Sequence, residues 1–476
     1  MNKYICIHGH FYQPPREDAW TGVIEEQKSA APFHDWNQRI TAECYRPNTE
    51  SPIHGANDKP IKTINNYEWI SFNIGPTLLS WLEQNAPETY QRILLADHNS
   101  MRHFKGCGSA IAQAYNHIIM PLANERDKQT QVLWGIKDFE FRFRRKPAGM
   151  WLPETAVDLN TLEVLAKNNI LYTILAPKQA KKVRKINDKN WISVNETTLD
   201  TKVPYLCRLP SGKSIHLFFY DGFISSEIAF GKIIHSGVEI ANLMLKNFEA
   251  KVSPQLVHIA TDGETYGHHR QFGNMALSYL IEHVQKNELA QITNYALFLK
   301  ENKIEYEVEI NENTAWSSSV GVERWRSAEG GCIHYKKSWT QKWRAPLRES
   351  MDWLRDQLIP VYEQEMKGAG DPWLKRDQFI DDILHKRKRH PALEMQHMAM
   401  LMYTSCGWFF DDISGIETIQ ILQYAARAME IARDDFGVDL EPGYLKILSK
   451  ARSNYKRKGT GKDIYLNCAK KRTNHV

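Results

Sequence analysis

The run ATDGETYGHH, residues 260–269, holds two carboxylates, two adjacent histidines and two glycines directly after the apolar stretch LVHI. Asp262 closes that stretch and Glu264 follows two positions on. A second acidic motif, GMWLPETAVD, sets Glu154 behind Trp151, Leu152 and Pro153, in a partly apolar wall where the ionisation of a carboxyl is tuned. Two carboxylates delivered from different strand ends are the usual equipment for breaking a glycosidic bond. Each motif alone also suits a structural role, with Glu154 capping a helix that begins near Thr155 and Asp262 forming a turn with Gly263.

Two histidine motifs add to these. HGHFYQPPRE puts His8 and His10 on one face of a strand end, followed by Gln13, Arg16 and Glu17; an HxH pair in that position is also how zinc sites begin. AYNHIIMPLAN offers Tyr115, Asn116 and His117, although a lone histidine is more often a satisfied buried side chain than a functional one. Of the fourteen tryptophans, Trp316, Trp325, Trp339 and Trp343 fall close together. Aromatic rings stack on the apolar faces of sugars, so Trp316 and Trp325, in a Ser/Gly-rich stretch, are substrate-contact candidates. Trp339 and Trp343 read as helix packing.

The elements that must position these groups are of two kinds. Up to about residue 305, short apolar runs such as YICI, LYTILA, IHLFFY and LVHIA alternate with helix-like stretches such as NTLEVLAKNN. That alternation predicts an α/β unit with a mainly parallel sheet. Several runs end in polar groups, namely His8, Asp221 and Asp262, and reactive groups gather at the C-terminal ends of parallel strands. Asp221 therefore joins the substrate-contact candidates. Beyond residue 340, Leu347, Met351, Leu354 and Leu358 recur at helical spacing, as do Ile419, Leu422, Ala426 and Met429. The expected division is an α/β catalytic domain over 1–305 and an α-helical domain over 306–476 that contributes to the cleft.

A formal charge of +5 over 476 residues implies no general attraction to nucleic acid or membrane. The basic runs HKRKRH (385–390) and YKRKGTGK (455–462) lack interleaved aromatics and read as solvated surface. Seven scattered cysteines with no CxxC spacing argue against a disulfide framework or zinc ribbon and fit a reducing cytoplasm. The N-terminal apolar run is too short for a signal peptide. The stretch from Ala392 to Phe410 carries Glu394, Gln396 and His397 and reads as a buried helix.

Taken in chain order, HGHFYQPPRE, AYNHIIMPL, WLPE and TDGETYGHH, with a weaker fifth match in TAWSSSVGVERWRS, resemble the conserved regions of glycoside hydrolase family 57 over most of the first 330 residues. TSCGWFFDDISGIETIQ (404–420) looks like part of a branch with a helical C-terminal extension. The resemblance implies an incomplete seven-stranded (β/α) barrel and a retaining mechanism on α-glucans, by hydrolysis or glycosyl transfer. It makes Glu154 the nucleophile and Asp262 the general acid/base, with carboxyls about 5 to 5.5 Å apart. His8, His10 and Trp151 would line the subsite of the reacting sugar. His268 and His269 would bond sugar hydroxyls or hold Asp262.

The resemblance implies an oligo- or polysaccharide partner and no metal or cofactor. Two departures bear on the sugar wall: Phe11 and Tyr12 separate His10 from Gln13, and Ser109 stands where some members carry an acidic residue ahead of the histidine. Two other classes share these features. One is a zinc-dependent polysaccharide deacetylase or α-mannosidase-like hydrolase with His8, His10 and Asp262 as ligands; the other is a glucan-binding protein without turnover.

Overall fold

In the run KYICIHGHF, Cys6, His8 and His10 fall on one face of an extended chain and Ile5 and Ile7 on the other. In the computed structural model this run is strand β1 (Lys3–Phe11), buried from Ile5 onward. The structure describes residues 2–470 apart from 56, 58, 251, 252, 334, 335 and 337. Six further strands join β1 in a run of parallel pairings: β2 (Ser71–Ile74), β3 (Ala112–Gln113), β4 (Met150–Trp151), β5 (Tyr172–Leu175), β6 (Ser214–Phe219) and β7 (Gln255–Asp262).

β7 and β2 flank β1, β3 pairs with β4, and β5 pairs with β6. Parallel bridges from Phe72 to Ala110 and from Gly149 to Tyr172 join these groups. The order is therefore β7-β1-β2-β3-β4-β5-β6. Between its two ends, the Asp221 N–H donates to the His258 carbonyl at 2.8 Å. Beyond β6 the sheet continues through Tyr205–Arg208, Tyr306–Ile310 and Ala180–Lys185.

Helices return the chain between the parallel strands, as right-handed crossovers require: α1 (Pro76–Asn85) and α2 (Pro87–His103) after β2, α3 (Glu125–Phe143) after β3, and α4 (Leu159–Lys167) after β4. α5 (Gly222–Ala229) and α6 (Gly237–Lys246) follow β6, and α7 (Gly273–Lys286) follows β7. Asp158 starts α4 by accepting the Thr161 N–H at 2.8 Å, a cap worth about 1 kcal/mol. α7 buries Ala276, Leu277, Leu280, Ile281 and Val284 at helical spacing; each of its large apolar side chains contributes about 1.5 to 3 kcal/mol.

Two compact units result. The first comprises Met1–Gln13, Glu26–Gln113 and Phe139–Glu312; the second comprises Pro14–Glu25, Ala114–Asp138 and Asn313–Val476. This differs from the expected division at residue 305, because two segments of the first half fold with the helices of the second unit. Their side chains show why. The Trp134 ring lies against His397 and Phe379, at centroid distances of 5.4 and 6.1 Å, and Trp20 Nε1 donates to Glu430 at 2.9 Å.

The second unit is helical, with α8 (Arg344–Glu365), α9 (Pro391–Leu401) and α10 (Ile416–Asp434) as its main helices. α8 buries Leu347, Met351, Leu354 and Leu358, the residues whose spacing predicts it. The guanidinium of the fully buried Arg344 donates to the carbonyls of Trp408, Phe409, Phe410 and Gly330, so the WFF segment is held by a charge-assisted set of bonds. Among the described residues, no helix is long and apolar enough to cross a membrane.

Candidate active site

Strand register brings the first three polar groups together. His10 on β1 stands opposite Asp262 on β7 and opposite Asn73 on β2, and adjacent strands lie about 4.8 Å apart. His8, two residues earlier on the same face, stands opposite Ser71. Asn73 is the hub. Its Nδ2 donates to His10 Nδ1 at 2.9 Å and to Gln113 Oε1 at 2.7 Å, and its Oδ1 accepts from His8 Nε2 at 3.1 Å. His8 Nδ1 is then the acceptor for the Ser71 hydroxyl at 3.0 Å, and the single proton of neutral His10 is on Nε2.

The Trp151 ring stacks on both imidazoles, with centroids 4.9 Å away in each case and interplanar angles of 18° and 19°. Burial pushes both histidines down to about 3, against the opposing effect of the Asn73 hydrogen bonds. They are neutral rings at any working pH. Gln113 Nε2 is buried without a protein partner among the described residues, a donor for which a ligand oxygen is the natural complement.

Glu154 enters through strained backbone. The 3-10 turn Pro153–Thr155 puts Glu154 at φ 58, ψ 18 and Thr155 at φ 48, two successive left-handed residues with side chains. Such positions cost about 1 to 3 kcal/mol each and persist only where surrounding structure imposes them. Gln179 imposes this one: its Nε2 donates to the Thr155 carbonyl, while its Oε1 accepts from the Thr155 hydroxyl and the Ala176 N–H, all at 2.8 Å.

Asp262 ends β7 as its one exposed residue. Its carboxyl is nonetheless ringed by protein, and this burial pushes it up to about 7, with the charge of Glu154 acting in the same direction. Glu264, two residues on, is fully enclosed. Its Oε1 accepts the Tyr45 hydroxyl at 2.6 Å and the Tyr12 N–H at 3.0 Å, which ties the loop after β7 to the end of β1. Burial pushes Glu264 up to about 8; the Tyr45 bond opposes this and the charge of Asp262 adds to it.

A raised carboxyl has a definite linkage sign. The unfolded chain ionises near 4.5 and the folded protein near 8, so the folded state holds the extra proton in between and stability falls as pH rises through that window. Glu264→Gln retains an acceptor for Tyr45 and Tyr12 but cannot ionise. Its melting temperature relative to wild type should climb between pH 4.5 and 8 and level off above, the full difference being a few kcal/mol. Thermal scans at pH 4, 6 and 9 test this, and a difference that shrinks with rising pH contradicts it.

Other sequence candidates lie elsewhere or are already engaged. Asp221 Oδ1 caps α5 by accepting the Ile224 N–H at 2.8 Å, and Oδ2 accepts from Asn247. His268, half-buried, meets Glu43 through Nδ1 at 2.5 Å and packs edge-on against Trp36. His117 belongs to the second unit, where it is buried with Nδ1 2.6 Å from Ser405 Oγ. Trp325 is buried in the same unit, 6.2 Å from Phe409. Both side chains are enclosed within the second unit. Trp316, also in the second unit, is half-exposed.

Sequence reading missed Ser71, Asn73, Gln113, Tyr45 and Gln179. A signal existed for the first two: in SFNI, Ser71 and Asn73 alternate with apolar residues inside a fully buried strand. Among the described residues, no group of three His, Cys, Asp or Glu side chains is placed to hold a metal ion; both ring nitrogens of His8 and Nδ1 of His10 meet Ser71 and Asn73.

A polar layer with one aromatic wall thus lies at the C-terminal ends of parallel strands, beside a carboxyl raised by burial and by the charge of Glu154. Residues 5–311 match the profile of glycosyl hydrolase family 57, and the chain belongs to that family. Residues 339–392 and 390–475 match a domain of unknown function, DUF3536. An exo-type maltose-forming amylase from Pyrococcus sp. ST04 superimposes with a TM-score of 0.69 at 14% identity, covering 94% of this chain and 83% of that one.

A family 57 branching enzyme from Pyrococcus horikoshii gives 0.60 at 16% identity, covering 98% and 96%. The α-amylase AmyC from Thermotoga maritima gives 0.58 at 12% identity, covering 98% and 99%. At these identities the likeness is one of fold. Alpha-amylase 1 of Dictyoglomus thermophilum is 25% identical over 107 residues, which span 22% of this chain and 15% of that protein.

Proposed function

We propose that the protein is a retaining glycoside hydrolase or glycosyltransferring enzyme acting on α-glucans, built on an incomplete seven-stranded (β/α) barrel formed by β1 to β7. Glu154 is the nucleophile and Asp262 the general acid/base. The observation that carries this reading is the coupling of the two carboxyls, since the charge of Glu154 helps to raise Asp262 to about 7. An acid must hold its proton when the leaving oxygen departs, and that elevation provides it. Attack by Glu154 on the anomeric carbon converts its carboxylate to an uncharged ester. The repulsion on Asp262 then disappears, its pKa falls, and it becomes the base that activates the incoming water or sugar hydroxyl.

The remaining wall suits a sugar. Neutral His10 carries a proton on Nε2 and Gln113 offers a buried N–H, donors suited to sugar hydroxyls that do not compete for the proton of Asp262, while the Trp151 ring fixes the two imidazoles by stacking on them. The amylase and branching-enzyme names of the similar folds support α-glucan as the substrate class. No proposed step draws on a metal.

Incubation with fluorinated α-glucosyl fluorides followed by peptide mass spectrometry tests the proposal, alongside product analysis on amylose and maltooligosaccharides. A glycosyl label on Glu154 and release or transfer of glucan products are expected. A label on another residue overturns the nucleophile assignment. Glucan binding without product overturns the enzymatic reading, and activity lost on chelation and restored by zinc replaces it with a metal-dependent one.

A further inference from the structure

The hydrogen bonds that join Ser71, His8, Asn73, His10 and Gln113 run in one direction. The Ser71 hydroxyl lies 3.0 Å from His8 Nδ1, and His8 Nε2 lies 3.1 Å from Asn73 Oδ1. An amide oxygen only accepts, so the proton of neutral His8 is on Nε2, and Nδ1 takes the Ser71 hydrogen. On the other side of the amide, Asn73 Nδ2 has two hydrogens and two neighbours, Gln113 Oε1 at 2.7 Å and His10 Nδ1 at 2.9 Å. Each receives one, which puts the His10 proton on Nε2. Donation therefore passes from Ser71 through His8 and Asn73 to His10.

The surroundings hold that direction. All five side chains are buried, and the Trp151 ring stacked on both imidazoles opposes their rotation. Were the Asn73 amide alone to turn over, its oxygen would face Gln113 Oε1 at 2.7 Å, two buried acceptors with no hydrogen between them, which is costly. Burial pushes both histidines down to about 3. Each neutral ring then has a single proton, and the bond made by one nitrogen decides which nitrogen carries it. The register of β1 with β7 sets His10 opposite Asp262, so the last donor of the series stands beside the proposed acid/base.

We propose that Asn73 is a positioning residue, whose amide commits His10 to the tautomer that donates from Nε2 to an oxygen of the reacting sugar. The proposal rests on the α-glucan reading above. Asn73 gives both of its amide hydrogens to protein groups, so it acts through His10 rather than on the sugar. The other tautomer of His10 would turn a lone pair toward the sugar oxygen and lose the bond. Successive donors also polarise one another, which strengthens the final one.

Neutron diffraction from crystals of the perdeuterated full chain reads these hydrogens directly and needs no substrate. Deuterium is expected on Nε2 of His8 and of His10, with two on Asn73 Nδ2 and none on either Nδ1. Deuterium on His10 Nδ1, facing Asn73, overturns the proposal.

A double-mutant cycle supplies the functional arm, read as kcat/KM on a short activated aryl α-glucoside. Asn73→Leu keeps the branched shape without hydrogen-bonding groups and should lose about 10- to 100-fold. In a His10→Ala background the same substitution should cost less than about 3-fold, because the group it positions is gone. Equal costs in both backgrounds would overturn the proposal, since they mark a residue that supports the fold or meets the sugar independently of His10. If Asn73→Leu does not fold, the deuterium positions in wild type still decide. Wild-type protein inert on every α-glucan is a different result: it removes the functional reading, while the tautomer is settled by the diffraction arm alone.

Discussion

Replacing Glu154 by alanine is expected to lower kcat on unactivated α-glucan by about four to six orders of magnitude, and azide is expected to restore turnover of an activated α-glycoside as a β-glycosyl azide. On the proposed assignment, loss of Glu154 removes the double displacement, but it leaves a space on the same face of the sugar and an intact acid opposite. A small anion in that space attacks the anomeric carbon once and inverts it. The product's configuration decides the assignment. An α-glycosyl azide from this variant would place Glu154 on the acid/base side, and unimpaired turnover would remove it from the chemistry.

Asp262→Ala has a complementary signature. Substrates with good leaving groups need little protonation, so their first step should survive, whereas kcat/KM on amylose should fall by about 10²- to 10⁴-fold. The glycosyl-enzyme then accumulates for want of a base, and azide, which needs none, should release it with retained α configuration. The pH profile supplies an independent reading. The acid must be protonated, and its carboxyl is pushed up to about 7, so wild-type kcat/KM on amylose should fall as pH rises through 7. The variant should lack that alkaline limb; if the limb persists unchanged, another group is the acid.

The parts of the site carried by local period were legible in the sequence. His8 and His10 fall on one face because strands alternate, and the polar residue ending an apolar run located Asp262. Asn73 was not singled out, although it anchors both histidines, because a polar residue in a four-residue strand has no local mark beyond its alternation with Phe72 and Ile74. Tyr45 and Gln179 were hidden for a different reason. Tyr45 meets Glu264 across 219 positions of sequence, and Gln179 serves Thr155 through a turn whose handedness no residue type announces.

The same limit governs the domain division. The helical spacing of Leu347, Met351, Leu354 and Leu358 made the second unit visible, but the allegiance of 114–138 depends on where Trp134 finds His397 and Phe379, and periodicity does not encode partners.

The paired left-handed residues at 154 and 155 bear on how this protein responds to engineering. A campaign that screens variants for thermal tolerance alone will tend to replace Thr155 by glycine, since that relaxes a conformation that the chain resists. Such a winner would be a sturdier protein in which Glu154, the proposed nucleophile, is free to wander, and distances at a reacting centre tolerate little wandering. Heat resistance and turnover are thus set against each other at one turn of backbone, and libraries built on this scaffold should hold residues 153–155 and 179 constant.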